Sequence, residues 1–578
     1  MRPAAALVPL AALTAAVTGV ALFALSLPGP PAPPPLAPPR PAREARPRLA
    51  VLVVFDQLRG DYLERWRPLF GPAGFARLQR DGAWFTDCHY PYAVTTTGPG
   101  HASMLSGACP DAHGVVDNDW YEDGKRVYCA GRDGVRLEPP LESDDRNKPA
   151  QGGTPERLLS ETVADVLKRE TNGRAKVFGV SLKDRSAVLP TGQRPDGAYW
   201  FDKAFRTSTY YTRYAGDVPL WVYRFNASRA ADRWLGAPWT RLGEEAVYDR
   251  VAGPDKVAGE YPKTAFPHTI GGPKPDAAYY AALAASPFGN DLVLAFTKTC
   301  VTEERLGLHD VPDLLVVSFS SNDLVGHAWG PDSHEVLDTT LRSDAVVAEL
   351  LAFLDDRVGK DRYLLGLTAD HGVCPLPGVT REKGRREGRK DWQEADRAFP
   401  AEWQKALGAH LSERFAGVKP ADWTDLSDTS FYFRKRAVAA SGVSREQLAA
   451  EAAKFLAAQR GVARTFTRAE LSGPVPAADA IATRMKRSFH PARSGDVIVL
   501  VKEYWIPAGK TDKPSGTTHG TPYDYDTHVP LIVYGPGIRG GTRDEPTTPQ
   551  ALASVFANGL GIPRPKDAAF PIPTTLNR

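Results

Sequence analysis

Three runs of β-forming apolar residues fix the architecture more firmly than anything else in the chain. Residues 49–55 read LAVLVVF, 313–319 read DLLVVSF and 363–369 read YLLGLTA. An apolar run of this length without polar alternation belongs to a strand covered on both faces, as in parallel sheets packed between helices. Each run is followed within a few residues by a carboxylate: Asp56, Asp323 and Asp370. In open α/β sheets ligands gather beyond the carboxyl ends of the strands, so these acids stand where a site would form. Further strands are expected at 176–181 and 526–534, with helical periodicity at 61–79, 155–170, 335–358 and 549–559. Strands alternating with helices predict an α/β fold, a largely parallel sheet sandwiched by helices.

At 578 residues the chain exceeds one ordinary core, but a large α/β domain with insertions absorbs most of it. Residues from about 190 to 300 are rich in aromatics, prolines and polar turns, which suits a lid or insertion. Residues 427–505 suggest a small α+β insertion, with a strand at 429–433, a helix at 444–459 and strands near 465 and 496–500. The basic, polar stretch 375–400 reads as an exposed loop. The layout expected is a main domain over 49–565 carrying these two insertions, and a C-terminal tail at 566–578.

The N-terminus has the chemistry of an export segment. Arg2 precedes an uncharged apolar stretch, 4–27, and a Pro-rich linker follows at 28–48. At 24 residues the apolar stretch is long enough to span a bilayer. Residues 1–27 are therefore a signal peptide or a membrane anchor, and the globular part belongs outside the cytoplasm, periplasmic or extracellular. The formal charge of +3 is close to balance, and no basic run interleaved with aromatics points to nucleic acid. Five cysteines (Cys88, Cys109, Cys129, Cys300, Cys374) allow at most two disulfides and leave one over. None lies in a CxxC pair.

Several residues stand in positions suited to chemistry, although each alone has a plain structural reading as a cap, a turn or a surface pair. Thr95, Thr96 and Thr97 run into Gly98-Pro99-Gly100, delivering a hydroxyl to a helix N-terminus, where an anion is favoured. Asn118 sits in a polar loop. Lys183 and Arg185, two apart after a strand, would converge on one spot in an extended chain. Asp323 and His327 are spaced i, i+4, on one face of a helical turn. Asp370 and His371 are adjacent at a strand end, and His519 and His528 lie in the C-terminal part. Three Asp, three His and a hydroxyl are about what two four-coordinate zinc ions need. Two such ions, about 4 Å apart, clamp the attacking and leaving oxygens of an in-line displacement. Residue types alone do not separate Thr97 from its two neighbours, His519 from His528, or zinc from manganese or iron.

The motifs FDQLRGDY (55–62), TGPGHASML (97–105), HGVVDNDWY (113–121), SLKDR (181–185), SNDLVGHAWGP (321–331), TADHG (368–372) and THGTPYDYDTHVPL (518–531) occur in this order. Together they resemble the alkaline phosphatase superfamily. The chain is most similar to its exported bacterial phosphomonoesterases with a threonine nucleophile, close kin of the nucleotide pyrophosphatases/phosphodiesterases. The resemblance implies two zinc sites, one held by Asp323, His327 and His519, the other by Asp56, Asp370, His371 and the Thr97 oxygen. It implies that Thr97 attacks phosphorus to form a phosphothreonine, later hydrolysed to release inorganic phosphate. Asn118, Lys183 and Arg185 match residues that bind the non-bridging phosphoryl oxygens in the monoesterase branch. The diesterase branch lacks the Lys-x-Arg pair, and a monoester carries one more negative charge for two cations to meet. The expected activity is therefore dizinc phosphate-monoester hydrolysis on small molecules, with diesterase, pyrophosphatase or phosphotransferase activity as alternatives on the same fold. His101 and His113 are expected to be structural. The Cys-x-Pro-x-Arg pattern of sulfatases is missing from the nucleophile segment.

Overall fold

The computed structural model describes residues 46–145, 151–255, 265–415, 417–509 and 516–576, so the apolar segment 4–27 and the proline run that follows lie outside the described residues. Among the described residues the largest sheet has ten strands. In chain order these are β1 (Leu49–Phe55), β2 (Ala83–Phe85), β3 (Leu137–Glu138), β4 (Val177–Ser181), β5 (Gly197–Asp202), β6 (Ala204–Ser208), β7 (Asp313–Phe319), β8 (Tyr363–Thr368), β9 (Leu531–Tyr534) and β10 (Gly541–Arg543). Their spatial order is β10-β2-β9-β8-β1-β7-β4-β5-β6-β3. The five central strands, β8 to β5, run parallel. Antiparallel pairings add β9 and β2 on one side and β6 and β3 on the other. Helices flank the sheet, and every residue of β1 and β7 is buried, as their unbroken apolar sequences require.

Register then places the site. Phe55 pairs with Phe319, Val54 with Thr368, and Ser318 with Ser181. Four adjacent parallel strands, β8, β1, β7 and β4, therefore end level with one another. The segments leaving them emerge side by side at a strand spacing of about 4.8 Å. Those segments begin with Ala369 (Asp370 next), Asp56, Ser320 and Leu182.

Within 190–300, residues 197–208 form β5 and β6 of the large sheet. A second, four-stranded sheet comprises Thr424–Ser427, Ser430–Phe433, Val497–Val501 and Val462–Thr467 in spatial order. Its core, including Leu448, Leu456, Val497 and Val499, also takes in Leu407 and Leu411 from the helix Pro400–Arg414, upstream of residue 427. The helix Arg445–Ala457 starts with a capping box: the Ser444 hydroxyl accepts the Gln447 N–H and the Gln447 side chain accepts the Ser444 N–H.

Four expected elements differ. The strand at 526–534 begins only at Leu531, because the Thr527 and His528 N–H groups bond back to the Tyr523 and Asp524 carbonyls in a helical turn at Asp524–Thr527. The helix at 61–79 is broken into Tyr62–Arg65, a short 3₁₀ turn at Arg67–Leu69 and Phe75–Asp81. Its apolar periodicity is real, since Tyr62, Leu63, Trp66, Phe75 and Leu78 are buried. Pro68 and Pro72 interrupt the ladder, and the Asp344 carboxylate accepts the Gly71 and Phe75 N–H groups at 2.8 and 2.6 Å. The helix at 155–170 begins only at Val163, because Thr162 forms a capping box with Asp165. The stretch 375–400 contains the helices Pro377–Glu387 and Lys390–Gln393 instead of a loop. Only Pro377, Thr380 and Gly384 of the first are buried, so it has no apolar stripe for the sequence to reveal. All five cysteines are free and buried. No helix among the described residues is long and apolar enough to cross a membrane.

Candidate metal and phosphoryl site

The strand-end segments bring the candidate residues together. Asp56 follows β1 directly and is fully buried. Asp323 and His327 lie on α1 (Ser321–Trp329), after β7, where the i, i+4 spacing brings His327 Nε2 to 3.1 Å from Asp323 Oδ1. Asp370 and His371 follow β8, with His371 Nε2 3.4 Å from Asp370 Oδ2 and 3.5 Å from Asp56 Oδ1. His519 stacks on His371, ring centroids 3.5 Å apart, and its Nε2 is 3.7 Å from Asp323 Oδ1. Thr97 is the first residue of the helix Thr97–Ser106, preceded by the extended Thr96. Its Oγ1 is 3.4 Å from both His371 Nε2 and Arg185 Nη2.

Lys183 is extended as expected, but Arg185 lies in the first turn of the short helix Asp184–Val188. The two cations consequently take different partners. Lys183 Nζ donates to Asp56 Oδ2 and Asp323 Oδ2, both at 2.6 Å. Arg185 faces Thr97, braced by Nη1 donating to the Tyr128 hydroxyl at 3.2 Å. Asn118 Oδ1 accepts the Gly98 N–H at 2.8 Å, which leaves its NH₂ as the end able to reach a substrate oxygen.

Geometry also separates the neighbours that residue types left equivalent. The Thr95 hydroxyl donates to the Thr521 carbonyl and the Thr96 hydroxyl to Asp117 Oδ1, so both are engaged away from the acid–histidine cluster. His528 stacks on His89, ring centroids 4.7 Å apart, with its Nε2 against the Thr86 carbonyl, whereas His519 is in the cluster. His113 packs on Ser103 as a structural residue. His101 sits closer to the chemistry than its structural reading implied. Its Nδ1 is 3.0 Å from the Thr97 carbonyl and 3.2 Å from Asp370 Oδ2.

The donor set fits divalent cations. His327, His371 and His519 each place Nδ1 on a backbone carbonyl: Thr517 at 2.7 Å, Gly372 at 2.9 Å and Thr95 at 2.8 Å. Each Nδ1 therefore carries the proton, and each Nε2 turns a lone pair toward carboxylate oxygens, an arrangement that calls for a cation between them. Asp56 Oδ1 and Asp370 Oδ2 are buried without hydrogen-bond partners. Burial, reinforced by Asp323 and Asp370, pushes the Asp56 carboxyl well above its usual range. Burial, with His371 and His327 nearby, pushes His519 well below the usual imidazole range, keeping it neutral as a ligand must be. Among the described residues, ligand atoms lying within 4.8 Å of one another form two groups, Asp323–His327–His519 and Asp56–Asp323–His371. The first coincides with the expected set. In the second Asp323 appears and Asp370 does not. Asp370 Oδ1 instead accepts the Gln57 N–H at 3.1 Å.

Gln57, Tyr128 and Asp117 were not expected at the site. Gln57 lies inside FDQLRGDY, but an amide signals neither metal nor phosphate, and no residue type marks its backbone conformation in advance.

A family profile described as type I phosphodiesterase/nucleotide pyrophosphatase matches residues 50–524, and the chain belongs to that family. Among its relatives is alkaline phosphatase PafA of Elizabethkingia meningoseptica, 32% identical over 546 residues, which cover 92% of this chain and 95% of the relative. Alkaline phosphatase PhoV of Synechococcus elongatus is 31% identical over 539 residues, covering 92% and 93%. The crystal structure of wild-type PafA matches with a TM-score of 0.82 at 32% identity, covering 92% of this chain and 99% of the other.

Proposed function

We propose that the chain is a metal-dependent alkaline phosphatase that hydrolyses small phosphate monoesters through a phosphothreonine on Thr97. The observation that carries this reading is a hydroxyl at a helix N-terminus, Thr97, set between the Arg185 guanidinium and His371, with a second cation, Lys183, held on the neighbouring acids Asp56 and Asp323. Support also comes from relatives named alkaline phosphatases along nearly the whole chain. Thr97 Oγ1 would attack phosphorus. Arg185, the Asn118 NH₂ and the first turn of the helix would meet the non-bridging oxygens, and Lys183 would offset the extra charge of a monoester. Asp323, His327 and His519 would hold one zinc ion, and Asp56, Asp370 and His371 the other. Two such ions, when bound, supply Lewis-acid stabilisation of the attacking and leaving oxygens.

The domain layout fits this role. The stretch 49–565 would form the catalytic domain, and the insertions near 190–300 and 427–505 would shape access for the leaving group. Residues 1–27, as export signal or anchor, would put the enzyme in the periplasm or outside the cell, with a membrane tether if they are retained.

The test is the ratio of kcat/KM for an aryl phosphate monoester over the matching diester, with zinc-loaded protein at mildly alkaline pH. A ratio far above one supports the monoesterase. A ratio below one moves the chain to diester chemistry. Thr97→Ala should yield no covalent phosphoenzyme and lose nearly all turnover.

A further inference from the structure

Gln57 touches both halves of the cluster from one residue. It follows Asp56 at φ 65°, in the left-handed region that a residue with a Cβ adopts at a cost, and it is 2% exposed. Its backbone N–H donates to Asp370 Oδ1 at 3.1 Å. Its side-chain Nε2–H donates to Asp323 Oδ1 at 2.6 Å. Turned the other way, the amide would set oxygen against carboxylate oxygen, so the donor fixes its orientation and leaves Oε1 buried without a partner. The amide fits only because residue 326 is glycine, since a Cβ there would collide with Oε1. Strain, an unpaired polar atom and a reserved glycine converge on one side chain, and the function that unites them is its grip on two acids.

We infer that Gln57 is a positioning residue that fixes Asp323 relative to Asp370 and so sets the spacing between the two metal positions, an inference that rests on the dimetal reading above. Lys183 also holds Asp323, through Oδ2 at 2.6 Å. A lysine that must serve the substrate cannot keep that hold, whereas the Gln57 amide has no other partner to turn to. A neutral donor is what the position needs. A cation there would compete with the metals, and a carboxylate would repel Asp323.

The experiment titrates zinc into chelator-stripped full-length protein against a chromophoric zinc chelator. Two variants are compared with wild type. Gln57→Gly keeps the left-handed turn and the backbone N–H to Asp370 while removing the amide and the strain. Gln57→Asn tolerates the same φ with the amide one methylene short. Both should still bind two zinc ions, one of them 10–100-fold more weakly, as the loss of a group orienting a metal ligand typically costs. Both should lower kcat more than they change KM, with the thermal midpoint of the stripped protein unchanged. Wild-type affinity at both positions in both variants overturns the inference and leaves the dimetal reading standing. So does an affinity loss accompanied by a lowered midpoint of the stripped protein in both. Fewer than two ions on wild type overturns the dimetal reading itself, and the Gln57 inference with it.

Discussion

Lys183 sits between Asp56 and Asp323, 2.6 Å from each, and its side chain is 11% exposed. Burial alone would favour loss of its proton, but Asp323 and Asp56 outweigh that and hold its pKa above the ordinary lysine value. Lys183→Ala and Arg185→Ala should each lower monoester kcat/KM by roughly 10²–10³-fold, and diester kcat/KM by much less, in parallel steady-state assays. Equal losses on both substrates would mean that neither cation reads the extra charge. A different titration belongs to Glu335. Burial pushes its carboxyl up to about 8, with Asp255 and Asp338 adding to the shift and Arg241 opposing it. Its Oε1 lies 2.7 Å from His268 Nε2. Between about 4.5 and 8 the folded chain keeps a proton that the unfolded chain has released, so stability falls as pH rises through that window and levels off above it. Glu335→Gln should flatten that slope, its melting temperature gaining on wild type from pH 5 to pH 9 in thermal scans.

At the level of elements, the N-terminal turn of the helix Thr97–Ser106 lies against the end of β8. A Cβ on Gly100 would run into the Asp370 backbone. Gly100→Ala should therefore push Thr97 and Asp370 apart and cost roughly 10²-fold in kcat/KM, the scale of a 1 Å misplacement, with circular dichroism unchanged. Elements differ in how openly the sequence declares them. The runs 49–55 and 313–319 are strands over those same residues because burial on both faces leaves an unbroken apolar signature. Asp323 and His327 were legible because helical spacing is a local rule. The break inside 61–79 depends on Asp344, far along the chain, claiming two backbone N–H groups. The helix Pro377–Glu387 has no apolar stripe to betray it. At the site, the acids, imidazoles and cations that the fold gathers could be read, whereas Thr97 stands apart from its two neighbours only because Thr521 and Asp117 take their hydroxyls. The role of Gln57 depends on a φ angle and on a glycine 269 residues later, and neither carries a chemical label.

For the whole molecule, the cluster is a concentration of buried charge. Asp56, Asp323 and Asp370 are each at most 3% exposed and meet near the centre of the largest sheet. Lys183 alone offsets only part of that, so metal removal should weaken the fold as well as the chemistry. Chelator-treated protein should melt at a lower temperature than untreated protein. Added zinc should restore the midpoint in a concentration-dependent way, since a ligand that binds only the folded state stabilises it by mass action. A midpoint indifferent to chelation and zinc would show that the acids are balanced from within.

The imidazoles are pinned by carbonyls from distant parts of the chain: His327 by Thr517, and His519 by Thr95. The centre therefore has an order of assembly. A growing polypeptide carries Asp56, Thr97, Asp323, Asp370 and His371 long before it carries His519, and until that last segment folds back to residue 95 the group of Asp323, His327 and His519 lacks its third member. An ion held by that group would therefore enter only after the C-terminal part of the chain has folded, from whatever ions surround it at that moment.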